Sequence, residues 1–204
     1  MELLLREKSF PRVFVLYSNT GVTAPIFSER SLATSGGRMD VVARCAIYAL
    51  WDLGSKPRRD TVFIAVLNGP PSPPLALYFY PAAVSLSESA VGLEILKAMR
   101  GESSSVSVER AGILELVRRL KDTGYKIVLL IEDGEDIKNI RFSPSEKYAF
   151  ILGDHIGFPV DVLRELRRNA DLEVSIGRTP YLASHCIAFV NDWLDRVHAD
   201  YEGS

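Results

Sequence analysis

Apolar positions along the chain follow two patterns, which are short continuous runs and longer stretches with helical spacing. The short runs, such as RVFVLY and TVFIAVL, are rich in β-branched and aromatic residues, as is typical of strands buried on both faces of a sheet. These runs predict strands at residues 12–17, 61–67, 126–131 and 148–152, a short strand at 172–176 and an edge strand at 75–80.

Helical spacing of apolar residues fills most of the segments between these runs. It predicts helices at residues 38–53, 88–99, 108–123, 159–168 and 182–197. Gly124 is expected to end the third helix, and Pro159 is expected at the first position of the fourth. Because strands alternate with helices, the sequence predicts an α/β fold with a mostly parallel sheet covered by helices.

Glycine-containing polar segments follow the three late strands of the predicted sheet. Their sequences are IEDGED, LGDHIGFP and SIGRTPYLASHC. In open parallel sheets, ligands bind in the crevice beyond the carboxyl ends of the strands, where these segments should meet. They could equally be ordinary turns, because turns use glycine freely. A polar loop of about twenty residues, 18–37, is expected after the first strand, and loops of this length are usually functional or mobile.

The composition is that of a globular protein of 204 residues, with 47% hydrophobic residues, 25% charged residues and a net charge of −2. This charge argues against a protein that coats nucleic acid by bulk electrostatics. Cys45 and Cys186 are isolated thiols, which suits a reducing compartment. The N-terminal segment is neither a signal peptide nor a membrane span. We therefore expect a cytoplasmic protein without a membrane partner.

The standard motifs for ligand and metal sites are missing from the sequence. No GxGxxG, GxxxxGK[ST] or GxSxG pattern is present, which disfavours a dinucleotide site, a phosphate loop and a nucleophile elbow. The three histidines and two cysteines lack zinc spacing. The acidic residues 132–136 could hold a hard cation, but a solvated loop is the simpler interpretation. We expect no metal.

Seven motifs, in order along nearly the whole chain, carry a family resemblance. They are Asn19-Thr20, GGRMD at 36–40, Arg44-Cys45, LNGPP at 67–71, EDGEDI at 132–137, LGDHIG at 152–157 and YLASHCI at 181–187. In these motifs the chain resembles the archaeal tRNA pseudouridine N1-methyltransferases, which modify pseudouridine 54 in the T loop. That family belongs to the SPOUT class of S-adenosylmethionine-dependent RNA methyltransferases.

The resemblance implies a fold, a cofactor and a partner. It implies one SPOUT methyltransferase domain over residues 1–204, with a C-terminal trefoil knot at about 125–200 that binds S-adenosylmethionine. Carried over by motif, the cofactor-binding residues are Leu130, Gly153, Ile176, Gly177, Leu182 and Cys186. The family forms homodimers through knot helices, and the broad apolar face of the last helix fits this. The same face could instead pack on its own sheet.

The implied reaction needs a group that helps to remove the N1 proton of pseudouridine. Asp40 in the GGRMD motif is the candidate base, and Arg38 could hold a phosphate or the carbonyl oxygens of the base. Asp40 and Arg44 could instead form an ordinary helical ion pair, four residues apart. Cys186 is interpreted as part of the cofactor pocket wall, because N1 is already a nucleophile and needs no covalent adduct.

Several functions fit this pattern. The first is N1-methylation of pseudouridine 54 in the tRNA T loop. Phosphate contacts could then come from Arg38, Arg44, Lys56, Arg58 and Arg59, although KPRR at 56–59 could equally be a solvated surface turn. The alternatives are an rRNA pseudouridine N1-methyltransferase with the same cofactor site, and a non-catalytic RNA assembly factor that binds S-adenosylmethionine as a structural ligand. A nucleotide-binding α/β protein is disfavoured by the missing phosphate loops.

Overall fold

The computed structural model describes residues 10–52, 55–81, 85–177 and 179–202. The strands are β1 (Arg12–Ser18), β2 (Thr61–Leu67), β3 (Leu75–Phe79), β4 (Val106–Glu109), β5 (Tyr125–Asp136), β6 (Lys147–Gly153) and β7 (Leu172–Ser175). The helices are α1 (Met39–Leu50), α2 (Glu88–Met99), α3 (Ile113–Asp122), α4 (Val160–Asn169) and α5 (Ala183–Glu202), with a 3-10 turn at Ile137–Asn139.

The strands form one sheet in the order β4-β3-β2-β1-β6-β5-β7. β1 pairs in parallel with β2 and β6, and β5 pairs in parallel with β6 and β7. β3 is antiparallel to both of its neighbours, β2 and β4. The predicted mostly parallel α/β sheet is therefore confirmed, and the carboxyl ends of five strands, β1, β2, β5, β6 and β7, point toward the same edge.

Helices cover both faces of the sheet, which explains why β1 is buried along its whole length. Phe14 and Leu16 point to one face, in the cluster that includes apolar residues of α1, α2 and α5. Val13 and Val15 point to the other face, against α3 and α4. Fully burying each such side chain contributes about 1.5–3 kcal/mol, so this central strand is strongly fixed in position.

Two predictions for the antiparallel side of the sheet were wrong. The segment 75–80 is not an edge strand, because β4 pairs along its outer side. The helix expected from residue 108 begins at Ile113, since Val106 and Val108 belong to β4. In that short strand the apolar residues alternate with Ser107 and Glu109, which is a period of two rather than a helical period.

Smaller differences concern the ends of elements. β5 continues to Asp136 rather than ending at 131, and both Leu130 and Glu135 pair with Val174 of β7, so residues 131–134 bulge out of the ladder. Pro159 caps α4 and precedes its first helical residue. Gly124 has a φ of 86°, as expected for the residue that ends α3. Leu53, predicted in the first helix, lies outside the described residues.

The long loop after β1 is folded onto the core. No helix or strand occurs between Asn19 and Arg38, in agreement with the sequence. Its side chains Val22, Phe27 and Leu32 are buried in the cluster that contains α1 and α2. In the described part of the chain, no helix is both long enough and apolar enough to cross a membrane.

Candidate active site

The segments that follow β5, β6 and β7 enclose a cavity of about 160 Å³ at the carboxyl edge of the sheet. Five of the six residues predicted to bind a cofactor line it. They are Leu130, Gly153, Ile176, Gly177 and Cys186. The sequence pattern therefore brings three loops together in the way expected for a parallel sheet.

Other atoms lie very close to two glycines of the cavity wall. A Cβ on Gly153 would lie 2.8 Å from the Cα of Gly157, and Gly157 itself has a φ of 80°. A Cβ on Gly177 would lie 2.9 Å from Cε2 of Tyr181. The half-exposed Tyr181 ring thus stands over Gly177 and narrows the cavity, which is smaller than the roughly 300–1,000 Å³ of ordinary ligand pockets.

Leu182 and Cys186 occupy the start of α5, but only one of them reaches the cavity. Leu182 is exposed and lies outside the lining, and its carbonyl oxygen accepts the backbone N–H of Cys186 at 3.0 Å. Burial raises the pKa of the Cys186 thiol to about 11. The thiol is therefore protonated near neutral pH, which fits a wall residue rather than a nucleophile.

Asp154 anchors the loop that follows β6. Its side chain is only 2% exposed, and its oxygens accept the backbone N–H of Asn19 at 2.7 Å, Asn19 Nδ2 at 2.8 Å and the backbone N–H of Ile156 at 2.9 Å. Neutral N–H donors thus solvate this buried carboxylate. Asp154 therefore fixes the loop after β6 through hydrogen bonds.

Arg38 and Asp40 form a bidentate pair at the start of α1. Arg38 Nε donates to Asp40 Oδ1 at 3.0 Å, and Arg38 Nη2 donates to Asp40 Oδ2 at 3.1 Å. Arg38 precedes the helix with φ 67° and ψ 34°, a left-handed conformation that costs a side-chain-bearing residue roughly 1–2 kcal/mol. Backbone strain of this kind is concentrated at functional sites.

The environment of Asp40 keeps this carboxyl group ionised. Burial alone would raise its pKa, but the hydrogen bond from Arg38 and the positive charges of Arg38 and Arg44 outweigh burial and lower the pKa below its ordinary value. The position of Asp40 in the first turn of α1 also favours a negative charge. The side chain is therefore available as a hydrogen-bond acceptor at neutral pH.

Arg44 connects Asp40 to a second carboxylate. Its Nη2 lies 3.8 Å from Asp40 Oδ2, and its Nε donates to Glu88 Oε1 at 2.8 Å. The helical ion pair considered for Asp40 and Arg44 is therefore present but loose, and Arg38 is the main partner of Asp40. The four charges alternate in sign in the order Arg38, Asp40, Arg44, Glu88, and this set is called the charged cluster below.

The basic residues predicted to contact phosphate differ in their availability. Arg38 is 41% exposed and Arg44 is 32% exposed, although each is paired with a carboxylate. Arg58 is only 11% exposed, and both of its terminal nitrogens are bonded to Asp195 of α5. Arg58 is therefore built into the packing of α5, whereas the charged cluster remains accessible to a ligand.

A larger cavity of about 630 Å³ lies between α1, α5 and the start of α2. Arg44 and Glu88 form part of its wall. Side chains from these helices and from the segments next to them complete the wall, including Tyr48, Trp51 and Asn191. The wall carries four carboxylates and two guanidinium groups. It has none of the backbone-lined, glycine-rich character of the cavity at the strand ends.

Some residues of the smaller cavity were not predicted from the sequence. They include Ile131, Glu132, Leu152, Phe158, Leu163, Val174, Ser175, Thr179 and Ala183. All of these residues except Leu163 and Val174 lie inside the three glycine-containing segments named from the sequence, which did not single them out individually as cofactor contacts. Leu163 belongs to α4, and only the packing of that helix brings it to the cavity.

Among the described residues, no three or more histidine, cysteine, aspartate or glutamate side chains come close enough together to hold a metal ion. One acidic residue of β5 forms an ion pair instead. Asp133 accepts a hydrogen bond from Arg167 of α4 at 2.6 Å.

The chain matches known proteins over almost its full length. The family model for S-adenosylmethionine-dependent RNA methyltransferases covers residues 11–199. The tRNA (pseudouridine(54)-N(1))-methyltransferase of Methanococcus maripaludis is 33% identical over 195 residues, which are 90% of this chain and 98% of the relative. The enzyme of that name from Thermococcus kodakarensis is 35% identical, with coverages of 90% and 98%.

Solved structures with a similar fold are methyltransferases too. Archaeoglobus fulgidus Nep1 bound to S-adenosylhomocysteine superposes with a TM-score of 0.61 at 19% identity, covering 92% of this chain and 98% of Nep1. Ribosomal RNA small subunit methyltransferase E of Neisseria gonorrhoeae, bound to S-adenosylmethionine, gives 0.50 at 13% identity, covering 91% and 66%. These likenesses confirm the predicted SPOUT-type fold class. The chain belongs to the tRNA (pseudouridine(54)-N(1))-methyltransferase family of S-adenosylmethionine-dependent RNA methyltransferases.

Proposed function

We propose that this protein transfers a methyl group from S-adenosylmethionine to N1 of pseudouridine 54 in the tRNA T loop. The observation that carries the proposal is a glycine-lined cavity at the carboxyl edge of the sheet, in a chain that aligns with 98% of relatives named for this reaction. The charged cluster at the start of α1 provides the acid–base group that the reaction requires.

The cavity residues suit S-adenosylmethionine in their chemistry. Gly153 and Gly177 have no side chains to fill the cavity, and Leu130, Ile176 and Cys186 offer apolar contact to an adenosyl group. Rotation of the exposed Tyr181 ring away from Gly177 would widen the cavity. S-adenosylmethionine, when bound, supplies an electrophilic methyl group. The larger cavity between α1 and α5 is not the proposed cofactor site, because half of the residues in its wall are charged and it lacks the glycine-rich segments.

Asp40 is the proposed acceptor of the N1 proton. As N1 forms its bond to the methyl carbon, the N1–H becomes much more acidic, so a carboxylate with a lowered pKa is a sufficient base. Arg38 holds both oxygens of Asp40 and fixes the direction of the lone pairs. A positioned base typically contributes about 10²–10⁴-fold to the rate.

The RNA must present the target base outside its stack, since a base inside a loop stack cannot reach the site. Unstacking costs a few kcal/mol, less than opening a duplex, which favours a loop nucleotide as substrate. Arg38 and Arg44 are the proposed phosphate or carbonyl contacts. With a net charge of −2, we expect a small RNA footprint rather than a clamp around the whole tRNA.

The remaining parts of the proposal concern assembly. We propose a trefoil knot at about residues 125–200, within one domain, and a homodimer formed through α5. Ile187, Val190 and Leu194 are buried in the protein's own core, but Phe189 is exposed and stacks on Trp193 with ring centroids 6.5 Å apart. This remaining apolar strip supports a dimer contact. A cytoplasmic location follows from a tRNA substrate.

The direct test is methyl transfer from labelled S-adenosylmethionine to two tRNA transcripts, one unmodified and one carrying pseudouridine only at position 54. We expect label only in the second transcript. Label in neither, with S-adenosylmethionine still bound in calorimetry, would favour an rRNA substrate or a non-catalytic factor. Absence of cofactor binding would overturn the proposal.

A further inference from the structure

Asn19 and Thr20, one of the sequence motifs, have no role in the mechanism described so far. They follow β1 directly and do not line the cavity at the strand ends. Asn19 nevertheless holds the loop after β6 at two places. Its backbone N–H and Nδ2 donate to Asp154 at 2.7 and 2.8 Å, and Nδ2 also donates to the carbonyl oxygen of Gly157 at 2.8 Å.

Thr20 contacts a second segment, the one that leads into α1. Its hydroxyl donates to the carbonyl oxygen of Gly37 at 2.8 Å. Any Cβ on Gly37 or on Gly69 would overlap the carbonyl oxygen of Thr20, so three backbone segments meet there without space for a side chain. Gly37 is followed directly by Arg38, which holds Asp40.

Peptide bonds and these hydrogen bonds together form one continuous path from the proposed cofactor cavity to the candidate base. The path runs from Gly153 and Asp154 through Asn19 and Thr20 to the Gly37–Asp40 segment, whose left-handed Arg38 directs its guanidinium onto Asp40. We propose that Asn19 and Thr20 are positioning residues that hold the Arg38–Asp40 pair in a fixed place relative to the cofactor loop. The catalytic consequence rests on the proposed function, whereas the mechanical link does not.

The position of the Arg38–Asp40 pair relative to the cofactor loop matters because methyl transfer requires aligned reacting atoms. Nitrogen, methyl carbon and sulfur must lie nearly in line, and a displacement of about 1 Å can cost on the order of 10²-fold in rate. The cofactor loop and the base belong to segments more than 100 residues apart in sequence. Asp154 suits the role of anchor, because a carboxylate whose side chain is 2% exposed must retain its N–H donors.

The test compares substitutions at Thr20 that separate shape from hydrogen bonding. Thr20→Val keeps the shape and loses the hydroxyl, and Thr20→Ser keeps the hydroxyl. Thr23→Val is the matched control, because the Thr23 hydroxyl lies in the same loop but donates to Gly69 O and accepts from Ser72 N. Asn19→Ala removes the side-chain anchor on the cofactor loop itself.

The first readout is hydrogen exchange, without RNA, in the presence and absence of S-adenosylhomocysteine. In the wild type and Thr20→Ser, we expect the ligand to slow amide exchange both at residues 153–157 and at 37–41. In Thr20→Val, protection should persist at 153–157 and disappear at 37–41, whereas Asn19→Ala should weaken it in both segments. Equal protection at 37–41 in Thr20→Val and the wild type would overturn the proposal.

The second readout is kinetic, on tRNA carrying pseudouridine 54. Thr20→Val should lower kcat about three- to tenfold, the size expected for one partly buried hydrogen bond, with an unchanged Kd for S-adenosylhomocysteine. Thr20→Ser and Thr23→Val should keep kcat within about twofold of the wild type. A fall in kcat that is equal in Thr20→Val and Thr23→Val would contradict a positioning role. The exchange experiment uses no RNA, so its outcome can be interpreted even if the assigned tRNA substrate is wrong.

Discussion

The cavity at the strand ends, which is the proposed cofactor site, and the charged cluster at the start of α1 differ in the atoms that form them. The cavity wall is formed largely by backbone and apolar atoms, with close approaches at Gly153 and Gly177. The cluster is formed by four charged side chains that alternate in sign from Arg38 to Glu88. The cavity should therefore be disturbed by substitutions that add atoms, and the charged cluster by substitutions that remove a charge.

Because of this difference, we expect substitutions in the two sites to change different quantities, which are cofactor binding for the cavity and the chemical step for the cluster. Substitutions in the cavity wall should change the affinity for the cofactor, because they alter the space available to it. Substitutions in the cluster should change kcat, because they alter the proposed proton acceptor, Asp40, or the groups that hold it. The predictions below test this separation in order of decreasing expected effect.

The largest effect is expected for Asp40→Asn. The amide keeps the size of the side chain but cannot accept the N1 proton, so kcat should fall about 10²–10⁴-fold, with the Kd for S-adenosylhomocysteine changed by less than about twofold. Single-turnover methyl transfer and calorimetry measure the two quantities. Glu165→Gln, which removes an exposed carboxylate paired with Arg168, should leave both unchanged. Retention of most activity by Asp40→Asn would exclude Asp40 as the base.

For Gly153→Ala, in contrast to Asp40→Asn, we expect a change in the affinity for S-adenosylhomocysteine. The new Cβ would lie 2.8 Å from the backbone of Gly157, so the loop must shift, and binding of S-adenosylhomocysteine should weaken about 10- to 100-fold. Gly112→Ala is the control, because a Cβ there meets only Pro74 Cγ at 3.6 Å. Unchanged affinity in Gly153→Ala would show that the cavity is not the cofactor site. Thermal melting identifies any loss of folding.

Sequence patterns predicted the parts of the fold that local residues determine. β1 and β2 were found because their apolar runs are continuous, and the glycine segments after β6 and β7 were found because a parallel sheet places strand ends together. β4 was missed because Val106 and Val108 alone are too short a pattern to outweigh the following helix.

Other features depend on contacts between distant segments and leave no local signal. The bulge at residues 131–134 exists because Leu130 and Glu135 both pair with Val174. The contact of Thr20 with Gly37 and Gly69 likewise requires three segments to meet. For the same reason the motif at Asn19-Thr20 could be noticed in the sequence, but its role could not be derived from it.

A smaller effect is expected for Glu88→Gln, which tests the outer end of the charged cluster. Loss of this charge frees Arg44 to move closer to Asp40 than its present 3.8 Å and to compete for the lone pairs of the base. We expect kcat to fall about two- to fivefold, the size of a partly exposed ion pair. Glu115→Gln is matched, because Glu115 also lies in the first turn of a helix and pairs with an arginine, Arg119. It should have no effect on kcat.

The smallest effect concerns pH, where the lowered pKa of Asp40 makes a definite prediction of sign. A carboxyl group whose pKa is lower in the folded state stabilises the fold above its unfolded pKa, near the ordinary value of 3.8, and loses this contribution as pH falls through the folded value. The difference in unfolding free energy between the wild type and Asp40→Asn should therefore be constant from pH 8 to about 5 and shrink below about 4. Urea unfolding at pH 7, 5 and 3.5 measures it. A difference that already declines between pH 7 and 5 would mean that Arg38 and Arg44 do not lower the pKa of Asp40. Asp40 could then not be assigned as a base that is ionised at neutral pH.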